Sequence, residues 1–131
     1  MAAVVVTPKE LAPPRGFSHG MIATGRTLYV AGQTGTDGQG KSVGPDLVQQ
    51  FDRALANVLQ VVQEAGGKAE DIVKINLYVL DKKEYQEKGR EIGAAYREHM
   101  GRHYPAMTLA EVKGLFEDEA KVEIEAVAVL P

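Results

Sequence analysis

The chain has 131 residues, with 15 lysines and arginines, 18 acidic residues and no cysteine. This length suits one domain, so we treat residues 1–131 as a single domain. The formal net charge of −3 and the scattered basic residues argue against a nucleic-acid partner. Without cysteine there are no disulfides or thiolate metal sites, and no apolar run is long enough to span a membrane. We expect a cytoplasmic protein that binds neither nucleic acid nor membranes.

Two short β-prone segments near the N-terminus lie on either side of a turn. Residues 18–23 and 28–31 flank Thr24-Gly25-Arg26-Thr27, and such an arrangement is typical of a β-hairpin. A further strand is expected at residues 4–7, and a glycine-rich loop follows at residues 32–44. The sequence therefore predicts a hairpin in the first quarter of the chain.

A long amphipathic helix is the clearest element of the sequence. Apolar residues recur there at steps of three or four, which places them on one stripe of a helix. They are Leu47, Phe51, Leu55, Val58, Val62 and Ala65. Pro45 and Asp46 suit the first turn, and Gly66-Gly67 supplies the end. The sequence predicts a helix from residue 45 or 46 to residue 65.

The sequence of the second half of the chain predicts a strand, a helix and two further strands. Residues 72–80 alternate between apolar and polar positions, as in a strand with one buried face. The apolar positions are Val73, Ile75, Leu77 and Val79. Residues 84–100 form a more polar helix that ends at Gly101. Residues 106–112 and 121–130 complete the order as the last two strands.

This order of elements predicts an α+β fold with a mixed sheet and two helices packed on one face. Two helices can cover only one face of such a sheet. The last strand, however, is apolar on both sides from Ala126 onward. A second subunit is the simplest cover for the other face, so we expect an oligomer.

A phosphate-binding pattern occurs in the glycine-rich loop. Residues 35–42 match G-x-x-x-x-G-K-[ST] and follow a predicted strand. That motif needs its lysine and serine in the first turn of a helix. Val43-Gly44-Pro45 intervenes here, and the residue before a proline is disfavoured in a helix. We therefore interpret the match as a chance feature of the loop.

Two histidines lie at the spacing of helical metal ligands. His99 and His103 are four residues apart, but Gly101 lies between them and is expected to end the helix. The sequence offers no obvious third ligand. We predict neither a metal site nor a bound cofactor.

Two glutamates alternate with apolar residues on the last strand. Glu123 and Glu125 share one face of this strand with Val127. If subunits bury that face, a carboxylate on it must be paired, solvated in a cleft or shifted in pKa. Such a position suits a general acid or base. The alternative is a frayed strand end with two solvated glutamates, and the pattern favours neither.

The same region resembles the C-terminal signature of the Rid (YjgF/YER057c/UK114) family. In that signature, a Pro-Ala-Arg-Ser/Thr segment precedes a strand of the form V/I-E-I-E-A-x-A. The corresponding segments are Tyr104-Pro105-Ala106-Met107-Thr108 and Val122-Glu123-Ile124-Glu125-Ala126-Val127-Ala128. Three upstream segments also match, namely Phe17-Ser18-His19-Gly20, Val30-Ala31-Gly32-Gln33 and Asp71-Ile72-Val73-Lys74. The resemblance covers about residues 15–130.

The resemblance implies a chorismate-mutase-like fold of the bacillary type, assembled as a homotrimer with clefts between subunits. Family members with the full motif hydrolyse reactive enamines and imines to the keto acid and ammonia, without metal or cofactor. Their arginine in the Pro-Ala-Arg segment binds the substrate carboxylate. The glutamate that corresponds to Glu123 positions water.

Several positions depart from the family pattern. Met107 stands at the position of the carboxylate-binding arginine, and a thioether cannot bind a carboxylate in that way. Phe17 replaces a common tyrosine, Ala31 a common serine, and Leu109 a common cysteine. The family's helical asparagine would fall at Gly89 or Arg90. The matching positions are Gly32, Thr108 and Glu123.

Two hypotheses of function from different classes follow. The first is a RidA-like deaminase that hydrolyses a small imine or enamine in an apolar intersubunit cleft, with Glu123 activating water. Its pocket would be formed by Phe17, Ala31, Gly32, Met107, Thr108 and Leu109. The second is a non-catalytic member that binds a small ligand or a protein. An endoribonuclease or translation inhibitor is less compatible with the acidic surface. If imino acids are the substrates, Arg15, Arg90 or Arg102 could replace the missing arginine.

Overall fold

The structure is a computed structural model, and it describes residues 3–131. This part of the chain contains six strands and three α-helices, with a short 3-10 turn at Ala69–Asp71. The strands are β1 (Val4–Val6), β2 (Gly20–Ile22), β3 (Arg26–Gln33), β4 (Ile72–Val79), β5 (Ala106–Glu111) and β6 (Val122–Leu130). The helices are α1 (Leu47–Glu64), α2 (Lys82–Glu87) and α3 (Gly89–Met100).

The main sheet has four strands in the order β3-β6-β4-β5. The β4–β5 pair is parallel, and β6 is antiparallel to both β3 and β4. The α1 and α3 helices contact each other, and α1 packs on β3 and β6. The predicted mixed sheet with helices on one face is confirmed.

The predicted hairpin between the first two β-prone segments is wrong. The β2 strand pairs with β1 in a separate two-stranded sheet, and β3 pairs with β6 near the C-terminus. The turn at Gly25 therefore passes the chain from one sheet to the other. The strand expected at residues 4–7 is present as β1, and it supplies the partner that β2 needs.

The predicted long helix is confirmed as α1. Asp46 is its N-cap, and the Asp46 carboxylate accepts a hydrogen bond of 2.9 Å from the Gln49 N–H. A side chain at this position satisfies an N–H that has no partner inside the helix. Ala65 lies just past the helix end and is exposed, so it is not part of the buried stripe. The other five residues of the predicted stripe are buried.

The predicted single helix over residues 84–100 is wrong in its continuity. It consists of α2 and α3, which meet at Lys88. Gly89 follows directly, and glycine has a low helix propensity. The residues around this junction are exposed, so they contribute no apolar packing that would keep the two segments in one continuous helix.

The predicted strands of the second half are confirmed as β4, β5 and β6. On β4 a register shift at Val73 places Ile72 in the core instead of Val73.

The side chains of β6 show that the two faces of the sheet differ in burial. Its even-numbered residues from Val122 to Leu130 are buried beneath the helices, and its odd-numbered residues are only half-buried. We call the second side the open face. Tyr29 lies there opposite Val127 and is 78% exposed. Nothing within residues 3–131 covers the open face.

A buried glutamine joins α1 to two loops. Gln50 is 1% exposed. Its amide nitrogen donates to the carbonyls of Gly44 at 2.8 Å and Glu119 at 3.0 Å. Its amide oxygen accepts from the Lys121 N–H at 2.8 Å. The side chain therefore holds the loop before α1 and the loop before β6 in fixed positions.

The glycine-rich loop does not have the geometry of a phosphate-binding loop. The Asp37 carboxylate accepts hydrogen bonds from the backbone N–H groups of Gln39 and Lys41, and these bonds lower the pKa of Asp37. The α1 helix begins only at Leu47, so Lys41 does not lie in a helical first turn. The interpretation of the motif as a chance match agrees with this geometry.

No helix within residues 3–131 combines the length and apolar character needed to cross a membrane.

Candidate functional site

Glu123 lies on the open face beside an irregularity in β3. The β3–β6 register shifts between Val30 and Gln33, so that Ala31 and Gly32 together oppose a single residue of β6, Glu125. At this bulge the Glu123 side chain lies directly against Gly32. Any side chain at residue 32 would overlap the Glu123 carboxylate. The missing side chain of Gly32 therefore creates the space that the Glu123 carboxylate occupies.

Polar side chains surround Glu123 on the open face. Tyr78 on β4 is opposite Glu123, and Asn76 is opposite Glu125. The Asn76 amide donates a hydrogen bond of 3.1 Å to Glu125 Oε2. Desolvation raises the pKa of Tyr78, and the negative charges of Glu125 and Glu123 raise it further. Tyr78 is consequently a neutral hydrogen-bond donor near two carboxylates at neutral pH.

Thr108 also belongs to the open face. It is opposite Asn76 in the β4–β5 pair, and its hydroxyl accepts a hydrogen bond of 3.0 Å from Lys74 Nζ. Thr108, Asn76 and Glu125 therefore form a polar band across β5, β4 and β6. Asn76, Tyr78 and Lys74 were not predicted as site residues. The alternation of polar residues on β4 was the available signal for them.

A cavity of about 300 Å³ lies on the other side of β5. It brings together three predicted pocket residues, Phe17, Met107 and Leu109, with Arg15 and Tyr85. The remaining residues of its wall are Gly16 and Leu77. Most of the wall is apolar, as in small-ligand pockets generally. Arg15 and Tyr85 provide the polar groups.

A short backbone contact places Phe17 next to Met107. The Ser18 N–H donates to the Pro105 carbonyl at 3.0 Å, and Ser18 forms a parallel bridge with Ala106. The segment before β2 thus runs along the start of β5. Met107 is half-buried and packs against the core cluster, so its side chain forms the floor between the core and the cavity.

The cavity and Glu123 lie on opposite faces of the sheet within one chain. Met107 is opposite Ile75, and Ile75 is buried beneath the helices. Glu123 is opposite Tyr78, whose neighbours Leu77 and Val79 are buried residues on the helix-covered face of β4. The predicted residues therefore form two groups, one in the cavity and one on the open face. One chain does not bring Glu123 into contact with the cavity.

The other predicted positions lie outside the cavity wall. Ala31 is exposed at the bulge beside Gly32. Gly89 and Arg90, the two candidates for the family asparagine, are exposed at the start of α3. Arg102 follows α3 and is also exposed. Of the three arginines named as replacements, Arg15 is the one that lines the cavity.

The histidine pair contacts two separate partners. His99 Nε2 lies 2.7 Å from Asp52 Oδ1 on α1. His103 Nε2 lies 2.7 Å from the Ile72 carbonyl at the start of β4. The α3 helix ends at Met100, between the two histidines. Each imidazole therefore holds α3 or its C-terminal turn against a neighbouring element.

Comparison with known proteins identifies the family. The profile described as Endoribonuclease L-PSP matches residues 7–130. A RutC family protein of Pyrococcus abyssi is 30% identical over 129 residues, covering 98% of each chain. A 2-iminobutanoate/2-iminopropanoate deaminase of Salmonella typhimurium is 34% identical over 108 residues, covering 82% of this chain and 83% of the relative.

Solved structures agree with this result. A Rid-family protein from Yersinia pestis superposes with a TM-score of 0.88 at 32% identity, over 99% of this chain and 100% of the other. A YjgF/YER057c/UK114 family member from Mycobacterium tuberculosis gives a TM-score of 0.67 at 30% identity, over 88% and 87%. The chain belongs to the Rid (YjgF/YER057c/UK114) family. The expected chorismate-mutase-like fold is confirmed with it.

Proposed function

We propose that this protein hydrolyses a small reactive imine or enamine, in the manner of a deaminase, at clefts between the subunits of a cytoplasmic homotrimer. The observation that carries the proposal is the position of Glu123. Its carboxylate lies against Gly32 at the β3 bulge, on a sheet face that the chain itself leaves open. The deaminase name of the Salmonella relative supports the same reaction class.

In the proposed reaction, Glu123 acts as a general base on water. The carboxylate takes a proton from the water molecule while the water oxygen bonds to the imine carbon. This proton passes to the nitrogen, which gives an amino alcohol. The hydroxyl proton then passes to the amino group as the C–N bond breaks, and ammonia and a carbonyl compound are released. One imine and one water are consumed, so the step needs no oxidant, metal or cofactor.

The proposed cleft combines residues of two subunits. Glu123 and the cavity around Met107 face away from each other within one chain, so a ligand in the cavity cannot reach the Glu123 of the same chain directly. A neighbouring subunit packed on the open face would provide the missing half. The exposed Tyr29 and the half-buried Val127 give this face an apolar part suited to such packing.

A direct assay of turnover tests the proposed function. Imino acids freshly generated from amino acids hydrolyse spontaneously, and the wild-type protein should accelerate keto-acid release above that background. Heat-denatured protein at the same concentration serves as the control. A rate equal to that of the control for all imines and enamines offered would contradict the proposal.

Assembly and sharing of the cleft are tested together. Light scattering should give the mass of a trimer, and a monomer at micromolar concentration would contradict the proposed cleft. Subunits carrying Glu123→Gln should then be refolded with subunits carrying Leu109→Trp, which fills the cavity. If two subunits form each cleft, roughly a quarter of the clefts regain both intact halves and activity returns. If one subunit forms the whole site, mixing restores nothing.

A non-catalytic ligand-binding member is the alternative that a specific observation favours. Met107 stands in the cavity where the deaminase signature has arginine, so the usual carboxylate contact is absent. A metabolite that raises the melting temperature without being consumed would support this alternative. The ribonuclease description of the family receives less support from a chain with a net charge of −3.

A further inference from the structure

Arg15 supplies positive charge to the cavity beside Met107. It precedes Gly16 and Phe17, and all three residues line the cavity together. Arg15 is the charged residue of that wall, whose other side chains are apolar except for Tyr85. No carboxylate within residues 3–131 forms an ion pair with Arg15. Arg15 is also exposed, so its guanidinium is accessible to an anion that enters the cavity.

Tyr85 offers a second polar group to the same space. The Tyr85 side chain is half-buried and lines the cavity. Burial raises the pKa of Tyr85 to about 12, so the phenol is protonated at neutral pH. It can donate a hydrogen bond to a ligand without adding negative charge.

We infer that Arg15, assisted by the Tyr85 hydroxyl, binds the carboxylate of a small 2-imino or 2-oxo acid in this cavity. The Arg15 guanidinium takes over the role that an arginine at position 107 would have, because Arg15 and Met107 line the same cavity. Met107, Phe17 and Leu109 then contact the short apolar part of the ligand. This inference rests on the proposed function, because it takes the cavity as one half of the ligand cleft.

The chemistry of the wall favours a monoanionic ligand of a few carbon atoms. A guanidinium keeps its charge at all physiological pH values and can donate two parallel hydrogen bonds to one carboxylate. A volume of about 300 Å³ is at the lower end for ligand pockets. The other residues of the wall, which are apolar except for Tyr85, would leave a second charged group of the ligand without a partner. Dicarboxylates are therefore expected to bind more weakly.

Binding of a stable product analogue tests the role of Arg15. 2-Oxobutanoate and its uncharged amide are titrated into the wild-type protein, Arg15→Gln and Tyr85→Phe by calorimetry. Arg15→Gln should weaken 2-oxobutanoate binding by roughly tenfold or more and leave the amide unchanged, because a charge-assisted hydrogen bond is lost. Tyr85→Phe should weaken binding severalfold. Arg15→Lys should restore part of the affinity, since it keeps the charge without the planar fork.

Two exposed arginines outside the cavity wall serve as matched controls. Arg90→Gln and Arg102→Gln remove the same charge from the protein and should leave binding unchanged. The inference is overturned if wild-type protein does not bind 2-oxobutanoate, binds the amide equally well, or loses affinity equally in the control variants. Turnover is a separate readout. Imine hydrolysis with no dependence on Arg15 would refute this inference alone, whereas carboxylate binding through Arg15 without turnover would refute only the proposed reaction.

Discussion

Glu123→Gln is expected to lower the rate of imine hydrolysis by roughly 10²- to 10⁴-fold, the usual contribution of a positioned general base. The amide has nearly the same shape as the carboxylate, so it still fits against Gly32, but it cannot accept a proton from water. Ligand binding should change little, because the substitution leaves the cavity residues of the proposed intersubunit cleft untouched. The effect should therefore appear in kcat and much less in KM.

Glu125→Gln is the matched control for this substitution. Glu125 lies two residues along the same face and accepts its hydrogen bond from Asn76. An amide at residue 125 can still accept that bond, so the rate should stay within a few-fold of the wild type. Loss of activity in Glu125→Gln with full activity in Glu123→Gln would reverse the assignment of the base. Equal activity in all three proteins would exclude both carboxylates from the reaction.

Gln50→Leu is expected to lower the free energy of unfolding by about 3 kcal/mol. Leucine has a similar size and suits a helix, but it leaves the carbonyls of Gly44 and Glu119 and the Lys121 N–H without their partner. An unpaired polar group costs about 1–3 kcal/mol when it is shielded from water, and the lower value applies here because Gly44 and Lys121 are half-buried and Glu119 is exposed. For a domain of this length the melting temperature should fall by roughly 10 °C.

Gln49→Leu separates this effect from a general change on α1. Gln49 precedes Gln50 on the same helix but is exposed, so its substitution should change the free energy of unfolding by less than about 0.5 kcal/mol. Urea denaturation of both variants provides the measurement. Similar stabilities of Gln50→Leu and Gln49→Leu would mean that water replaces the three lost hydrogen bonds at little cost.

The sequence predicts those elements whose signals are local and periodic. The α1 helix could be predicted because Leu47, Phe51 and Leu55 repeat at helical spacing and Asp46 caps the first turn. The alternation of Glu123 and Glu125 with Val122 and Ile124 likewise predicts β6 and places the two glutamates on one face of it. In both elements the residues that determine the structure are close together in the chain.

The pairing of β2 and β3 could not be predicted in the same way. The residues around Gly25 have the composition of a hairpin turn, but composition does not identify the partner of a strand. The β3 strand finds its partner about 100 residues later, between Arg26 and Leu130. Such a pairing depends on the assembled core, where β6 lies between β3 and β4.

Some residues of the candidate site could be predicted from the sequence, but their arrangement in space could not. Glu123 and Gly32 came from the family pattern, and the structure places them in contact. The separation of Glu123 from Met107 depends on the face of the sheet on which each residue lies. That face depends on the strand pairing, which the sequence alone does not give. Tyr85 and Arg15 reach the cavity through the packing of α2 and of the segment before β2 against β5. No short sequence pattern encodes that packing.

The place of β6 in the sheet also constrains how the protein is made. This strand follows the other five in the chain, yet it alone joins β3 to the rest of the main sheet. Until β6 has been synthesised, β4, α2, α3 and β5 can assemble as a local unit, but β3 has no strand to pair with. The nascent chain therefore carries exposed apolar surface until β6 inserts and closes the core. A premature stop anywhere before Val122 would leave that surface permanently open.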